Sequence, residues 1–304
     1  MIPVIDAHLH FWDLGRNRYP WLNGGRTVAH RYGDYSAIKH DYLPPDYLRD
    51  TAGYAIAASV YVDAEWDPAD PLGETRYVTG LAERYGLPGA IVAQAWLDAP
   101  DAADLLAAHA GYPLVRSVRH KPGGPAAPDR VGAERTLMSD DRWRAGYAAL
   151  ARHGLHFDLQ TPWWNLPEAA RLARDVPDVL LIVNHTGVPG GRDAATLEGW
   201  HTAMSMLAGL PNVAVKISGL CVPGEAWTVA SNAWIVRETV AMFGPGRVMF
   251  GSNFPVDGMF APFRTIFDGF AEIVGDRPEA ERREMFYGTA LRVYRPRLRG
   301  DGDG

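Results

Sequence analysis

The sequence predicts an α/β protein of the (β/α)8 TIM-barrel type, formed as a single domain by residues 1–295. Two observations indicate this fold: eight short apolar runs rich in β-forming residues recur along the chain, and helix-like stretches separate them. This alternation is typical of parallel strands joined by crossover helices, and eight such units fit the length of 304 residues. An open doubly wound sheet is the alternative, but no G-x-G-x-x-G turn follows the first run.

The eight predicted strands begin almost at the first residue. They are, in order, 3–11, 55–63, 89–97, 114–122, 156–162, 179–187, 212–220 and 247–255. Helices are predicted between them, for example at 73–86, 99–111, 139–154 and 166–177. Several of these stretches open on Asp, Ser or Pro and close on Gly, which are residues that favour the beginnings and ends of helices.

Two segments lie outside this repeating pattern. The insert at 13–53, between the first two strands, is rich in Tyr, Trp, Pro and Gly, and loops of this length are usually functional. It is either a lid over the barrel mouth or extra packing outside the barrel, and the aromatic residues of the lid would be Trp12, Tyr19, Trp21 and Tyr32. The polar, Gly-rich tail at 296–304 is expected to be disordered.

Composition excludes several classes of function. A formal net charge of -6 without a basic stripe argues against nucleic acid as a partner. The lone Cys221 excludes an internal disulfide and suits a reducing compartment. Without a secretory leader or an apolar run of about 18 residues, the protein is expected to be cytoplasmic and not bound to a membrane. A small molecule is the expected partner, and a homo-oligomer is compatible with the sequence.

Polar residues at the ends of the strands are the candidates for chemistry, because reactive groups of such barrels come from the carboxyl ends of strands. His8 and His10 lie late in the first strand, and residues two apart on a strand project to the same face. Two neighbouring imidazoles suit a divalent metal. The motif H-x-H is weak evidence by itself, but the sixth strand also ends on a histidine, His185. That residue is either part of the site or a satisfied core histidine.

Further polar residues end other strands. Arg119 and His120 end the fourth strand, and Asn253 ends the eighth. Lys216 on the seventh strand points either into the site or outwards towards the helices. The four histidines outside the strands are expected to have structural or surface roles. They are His30, His40, His109 and His153.

Five motifs together resemble the amidohydrolase superfamily. They are IDAHLHFWD followed by YPWL, VRSVRH, VNHTGVP, VKISGL and GSNFPVD, and they extend over nearly the whole chain in the order of the strands. More narrowly, the chain is similar to the amidohydrolase-2 branch, which contains sugar-acid lactonases of the fuconolactonase type and pyrone-dicarboxylate lactonase. The resemblance implies hydrolysis of a lactone, a cyclic ester, by water held at the barrel mouth.

The resemblance also implies roles for individual residues. His8, His10 and His185 would line a metal or substrate site, and Arg119 would hold a carboxylate or a sugar oxygen with its planar donor fork. The complete set of expected substrate-binding residues is Trp12, Arg119, His120, Gln160 and Lys216. Because the fifth strand ends on Gln160, a poor metal ligand, at most one metal is expected, most simply zinc.

Asn253 departs from the family pattern, which usually has Asp at this position. An amide cannot act as a carboxylate base at neutral pH. Three accounts follow: a zinc-like ion on His8, His10 and His185 generates hydroxide; Asp257 or His185 activates water without a metal; or the barrel binds a ligand without catalysis. A zinc-type decarboxylase of aromatic acids is a further alternative, which the loss of the acid disfavours.

Overall fold

The computed structural model describes residues 2–25 and 28–300. Eight parallel strands lie side by side in sequence order, which confirms the predicted (β/α)8 barrel. They are β1 (Val4–Leu9), β2 (Ile56–Val62), β3 (Ala90–Gln94), β4 (Val115–Arg119), β5 (His156–Leu159), β6 (Leu181–Val183), β7 (Val213–Ile217) and β8 (Val248–Phe250).

The first strand meets the segment that follows the last one, so the barrel is nearly closed. A parallel bridge joins Leu9 to Phe254, and the amide of Asn253 donates to the carbonyl of His8 at 2.7 Å. These contacts hold the ends of β1 and β8 side by side at the barrel mouth. Residues that are 245 positions apart in the sequence, such as His8 and Asn253, are thereby neighbours.

Helices follow the strands, as the apolar periodicity predicts. They are α1 (Pro44–Asp50), α2 (Gly73–Tyr85), α3 (Ala102–Ala110), α4 (Asp141–Ala149), α5 (Leu166–Asp175), α6 (Ala194–Ala208), α7 (Val229–Phe243), α8 (Phe263–Ile273), α9 (Glu279–Arg283) and α10 (Thr289–Tyr294). The local signals act as expected: the Asp140 side chain accepts from the amide of Trp143 at the start of α4, and Gly86 ends α2 with a φ of 71°.

The apolar core has two parts. A large cluster joins the strands to the helices; for example, Phe157 of β5 packs against Trp143 and Tyr147 of α4. A smaller cluster includes Val60 of β2 and Ile182 of β6, which are strands on opposite sides of the barrel. This second cluster therefore fills the barrel interior below the mouth, as expected for a packed barrel without a pore.

The insert between β1 and β2 is tied together at its base. Trp12 and Tyr42 form an antiparallel bridge, in which each amide donates to the other carbonyl at 2.9 Å. A short 3-10 turn at Ser36–Ile38 and helix α1 are its regular elements. Tyr19, Trp12 and Tyr32 are buried in the core, whereas Trp21 is only partly buried.

The tail expected to be disordered packs against the barrel over its described part. The amide of Arg297 donates to the carbonyl of Gly89 at 3.0 Å, and that of Arg299 to the carbonyl of Ala57 at 2.8 Å. Backbone bonds to the starts of β2 and β3 hold this part of the chain, and composition alone does not reveal such partners. Residues 301–304 lie outside the described residues.

Within residues 2–25 and 28–300, no helix is both long and apolar enough to cross a membrane.

Candidate active site

Three histidine rings meet at the mouth of the barrel. The ring centroid of His8 lies 5.2 Å from that of His10 and 4.5 Å from that of His185. All three side chains are buried, with at most 6% of their surface exposed. The structure therefore brings together the three histidines that the ends of strands one and six predicted.

Hydrogen bonds orient two of the three rings. His10 Nδ1 lies 2.7 Å from the carbonyl oxygen of Val62, and because a carbonyl only accepts, Nδ1 carries the proton and Nε2 is an acceptor. The side chain of Asn253 also lies within hydrogen-bonding reach of the His10 ring. His185 Nδ1 lies 2.9 Å from Ser218 Oγ. His8 differs, since neither of its ring nitrogens has a hydrogen-bond partner among the described residues although both are buried. An unpaired buried donor or acceptor is costly, so these nitrogen atoms point to a ligand.

Burial keeps the three imidazoles uncharged at neutral pH. Loss of hydration and, second, the positive charge of Arg119 lower the pKa of His10 to about 3. Burial likewise lowers the pKa of His8 and of His185 well below the usual value for histidine. Neutral rings can accept a proton or donate an electron pair to a metal, which protonated rings cannot do.

The chain adopts left-handed backbone conformations where it supplies these groups. His185 and Thr186 have φ angles of 54° and 50°, and Asn253 has a φ of 57°. Residues other than glycine adopt such angles rarely, at a cost of about 1–3 kcal/mol each, and they are concentrated at active sites. The turns after β6 and β8 therefore hold His185 and Asn253 in strained conformations that the surrounding barrel maintains.

Asn253 is held by a carboxylate behind it. Its Nδ2 donates to Asp257 Oδ1 at 2.7 Å, and the hydroxyl of Tyr32 donates to the same oxygen at 3.0 Å. Burial raises the pKa of Asp257 to about 6, while Arg31, Asn253, Tyr32 and Cys221 lower it. Asp257 does not line the cleft described below, so the amide of Asn253 lies between this carboxylate and the cleft.

Arg119 is fully engaged with neighbouring strands. Its Nε lies 2.5 Å from Asp63 Oδ2, its Nη2 donates to the carbonyl of Asp63 at 2.5 Å, and its Nη1 donates to Gln160 Oε1 at 2.8 Å. Both partners of the ion pair are buried, with side-chain exposures of 4% and 3%. Arg119 thus reaches the cleft, as predicted, but a protein carboxylate already neutralises its charge.

A polar cleft of about 420 Å³, counted with the solvent at its opening, lies above the histidines. Its walls come from the ends of β1, β2, β4, β5 and β6, from the turn after β8 and from the insert. The lining residues are His10, Trp21, His30, Arg31, Asp63, Ala64, Glu65, Arg119, Lys121, Gln160, His185, Asn253 and Val256. Trp21 and His30 stack at 5.7 Å with an interplanar angle of 7°, so part of the insert covers the mouth as a lid would.

Three predicted substrate-binding residues lie away from this cleft. Lys216 points inwards, but it is buried with its Nζ 2.6 Å from Asp158 Oδ1. His120 accepts from the indole nitrogen of Trp143 at 3.0 Å, behind the wall of the cleft. Trp12 is buried and donates to the carbonyl of His40, although its ring lies 6.3 Å from that of His10.

Several cleft residues were not predicted from the sequence. Asp63 directly follows β2, and a carboxylate at the end of a barrel strand is a signal that would have identified it. Lys121 and Glu65 lie just after strand ends and pair at 2.5 Å. His30 and Arg31 belong to the insert, whose irregular sequence has no period that indicates which side chains face the barrel.

The donor set of the histidines suits one divalent cation, because imidazole nitrogen is a common zinc ligand and the His8 nitrogens lack partners. Within the ranges 2–25 and 28–300, however, no three His, Cys, Asp or Glu side chains are already arranged around a common metal position. Cys221 is buried, and burial raises the pKa of its thiol, so it stays protonated.

Known proteins are similar to this chain in sequence over nearly its full length. The chain is 40% identical to the uncharacterized protein y4mH of Sinorhizobium fredii over 299 residues, which cover 97% of this chain and 99% of the relative. It is 29% identical to an L-fucono-1,5-lactonase of Burkholderia multivorans, with 95% of each chain covered.

Solved structures agree with these sequence relationships. The crystal structure of an amidohydrolase from Burkholderia multivorans with bound zinc superposes with a TM-score of 0.80 at 26% identity, covering 97% of this chain and 99% of that one. The sequence model of the amidohydrolase family matches residues 5–295. With eight parallel strands, histidines at the ends of β1 and β6, and a family match that includes all of them, this chain belongs to the amidohydrolase family of hydrolases.

Proposed function

We propose that this protein hydrolyses a lactone of a sugar acid or of a related carboxylic acid. The observation that carries the proposal is the meeting of three buried, uncharged histidines at the floor of a polar cleft. Support also comes from the L-fucono-1,5-lactonase that is 29% identical along nearly the whole chain. Neutral imidazoles and a nearby amide suit the activation and positioning of water next to an ester carbonyl.

The reaction has simple requirements. Water attacks the lactone carbonyl, the ring C–O bond breaks, and a proton is transferred to the departing ring oxygen. His10 Nε2 carries no proton, since Nδ1 donates to Val62, and it can therefore accept a hydrogen bond from the attacking water. Asn253 offers its side-chain oxygen in the same cleft, because Asp257 holds its Nδ2. At neutral pH the product acid ionises and releases one proton.

One divalent cation on His8, His10 and His185 is part of the proposal. Such a cation, when bound, would supply Lewis-acid stabilisation of negative charge and would make water more acidic, towards a pKa of about 7. The unpartnered nitrogens of His8 and the anchored rings of His10 and His185 are the groups that would hold it. Val62 and Ser218 act here as the outer partners that metal-binding histidines usually have.

A proton-release assay over a panel of five- and six-membered sugar lactones tests the reaction. The wild-type protein should acidify a weakly buffered indicator faster than the uncatalysed background, and His185→Gln should not. His201→Gln is the matched control, since that side chain is 41% exposed and pairs with Glu238 on the outer surface. Absence of acidification by folded wild-type protein with every lactone would refute the proposed function.

The metal is tested separately by elemental analysis. Protein purified without added metal should contain close to one equivalent of a divalent cation, and His8→Ala with His10→Ala should remove it. Addition of zinc after chelation should raise the melting temperature of the wild type but not that of the double variant. Equal metal content in both proteins would exclude this site.

A further inference from the structure

The charges that line the cleft are balanced except at one residue. Arg119 pairs with Asp63, and Lys121 pairs with Glu65, both at 2.5 Å. Arg31 also lines the cleft, and among the described residues no carboxylate that lines the cleft pairs with it; the acid that its charge affects, Asp257, lies outside the cleft behind Tyr32. His30 beside it stays neutral, because burial lowers the pKa of its imidazole to about 4.

The guanidinium of Arg31 is held in place before any ligand arrives. Its Nη2 donates to the hydroxyl of Tyr32 at 2.7 Å, and its Cζ lies 4.3 Å from the centre of the Tyr32 ring. Tyr32 is anchored in turn, since its hydroxyl donates to Asp257 Oδ1. An arginine fixed in this way loses little side-chain entropy when it binds an anion.

Arg31 also lies next to the histidines. A Cβ placed on Gly219, in the turn after β7, would lie 2.4 Å from His185 Nδ1 and 2.5 Å from Arg31 Nη2. Both side chains therefore approach the same small residue. A group bound by Arg31 would be a direct neighbour of the imidazole of His185 and of the floor of the cleft.

We infer that Arg31 is a specificity-determining residue that binds a carboxylate carried by the substrate, so that the preferred lactones are anionic. This inference rests on the proposed lactone hydrolysis. A carboxylate matches the planar donor fork of Arg31 and supplies the charge that the cleft lacks. A neutral lactone offers only uncharged oxygens, and it leaves the partly buried guanidinium without an anionic partner in the cleft.

Two lactones of the same ring size, one with a carboxylate substituent and one with a hydroxymethyl group, test the inference. For the carboxylate lactone, Arg31→Gln should raise KM by about 10- to 100-fold, as loss of a charged hydrogen bond predicts. For the hydroxymethyl lactone, KM should change less than about twofold. Arg31→Lys should recover part of the loss, because it restores the charge without the fork.

Arg16→Gln is the control for removal of one positive charge from the insert. Arg16 is 76% exposed and lies 3.6 Å from Asp13, outside the cleft. This variant should leave both KM values unchanged, and thermal melting should show that every variant is folded. Equal effects of Arg31→Gln on the two lactones, or no effect on either, would overturn the inference.

Binding measured without turnover separates this inference from the proposed function. Tetrahydropyran carboxylate and its carboxamide have no ester to hydrolyse, and calorimetry should show tighter binding of the carboxylate that Arg31→Gln abolishes. If the protein hydrolyses no lactone but binds the carboxylate through Arg31, the proposed function is refuted while the anion site at Arg31 is supported. If the protein hydrolyses lactones but Arg31→Gln does not weaken binding of the carboxylate, the inference about Arg31 is refuted and the proposed function stands.

Discussion

Asn253 donates its side-chain amide to the buried carboxylate of Asp257, with 2.7 Å between Nδ2 and Oδ1. An aspartate at position 253 could not make this bond when ionised, because both groups would then be acceptors. The amide at the end of the eighth strand is thus matched to a second acid four residues later. Asn253, which departs from the family pattern, thus makes a hydrogen bond to Asp257 that an ionised aspartate at position 253 could not make.

Asn253→Asp should destabilise the protein at high pH. The introduced carboxylate would face Asp257, and two carboxyl groups at this distance can retain only one negative charge between them. We expect a loss of about 1–3 kcal/mol in the free energy of unfolding at pH 8 and a smaller loss at pH 5, where one group is protonated. Combining Asn253→Asp with Asp257→Asn restores one donor and one acceptor, so the double variant should recover stability.

Asp257→Asn should change how stability depends on pH. Burial raises the pKa of Asp257 in the folded protein to about 6, above the ordinary 3.8. A raised pKa means that stability is fully present below the unfolded value and is lost as pH rises through about 6. The variant lacks this loss, so its free energy of unfolding relative to wild type should increase between pH 4 and pH 7, by on the order of 2 kcal/mol.

Urea unfolding at several pH values measures this difference. Asparagine keeps an oxygen that can accept from both Asn253 and Tyr32, so the fold should survive the change. Asp104→Asn on the exposed face of α3 is the control. Its difference from wild type in the free energy of unfolding should not change between pH 4 and pH 7. If the difference in the free energy of unfolding between Asp257→Asn and wild type is also independent of pH, the raised pKa of Asp257 is contradicted.

Replacing His8 with leucine should separate activity from stability. His8 has two buried nitrogens without protein partners, so in chelated protein His8→Leu should not lower the free energy of unfolding, while lactone turnover should fall at least about 100-fold. His109→Leu should instead lower the free energy of unfolding and leave lactone turnover unchanged. Its ring nitrogens contact Thr75 Oγ1 at 3.1 Å and the carbonyl of Gln94 at 3.0 Å, so losing them should cost about 1–3 kcal/mol.

Asp63→Asn should be strongly destabilising. Both Asp63 and Arg119 are buried, and removal of one member of a buried pair leaves an uncompensated charge, at a cost of about 3–5 kcal/mol. Asp67→Asn is the matched control, because its partner Arg18 is 64% exposed, and such pairs contribute at most about 1 kcal/mol. Urea midpoints of the two variants should therefore differ clearly; similar midpoints would show that Arg119 does not depend on Asp63.

The sequence predicted those features that depend on local patterns. The apolar runs gave the eight strands, and the spacing of His8 and His10 correctly placed their rings on one side of β1, 5.2 Å apart. The position of His185 at the end of β6 correctly placed it beside them, because parallel strands bring their carboxyl ends together.

Other features depend on partners that are distant in the sequence. Arg119 is neutralised by Asp63, 56 residues earlier, and Lys216 turns inwards to Asp158 on β5. No local periodicity specifies such pairs. Arg31 reaches the cleft from an irregular insert, where neither strand alternation nor helical spacing indicates the direction of a side chain.

The bridge between Trp12 and Tyr42 closes the base of the insert, so the two ends of this loop are joined independently of what lies between them. Changes in the length or sequence of residues 13–41 that keep the buried Tyr19 and Tyr32 therefore need not disturb the strands or the three histidines. If Arg31 sets substrate choice as inferred above, hydrolytic chemistry and substrate choice are encoded in separate parts of the gene, and exchange of one short stretch of coding sequence should redirect the enzyme to a new lactone while the barrel stays constant.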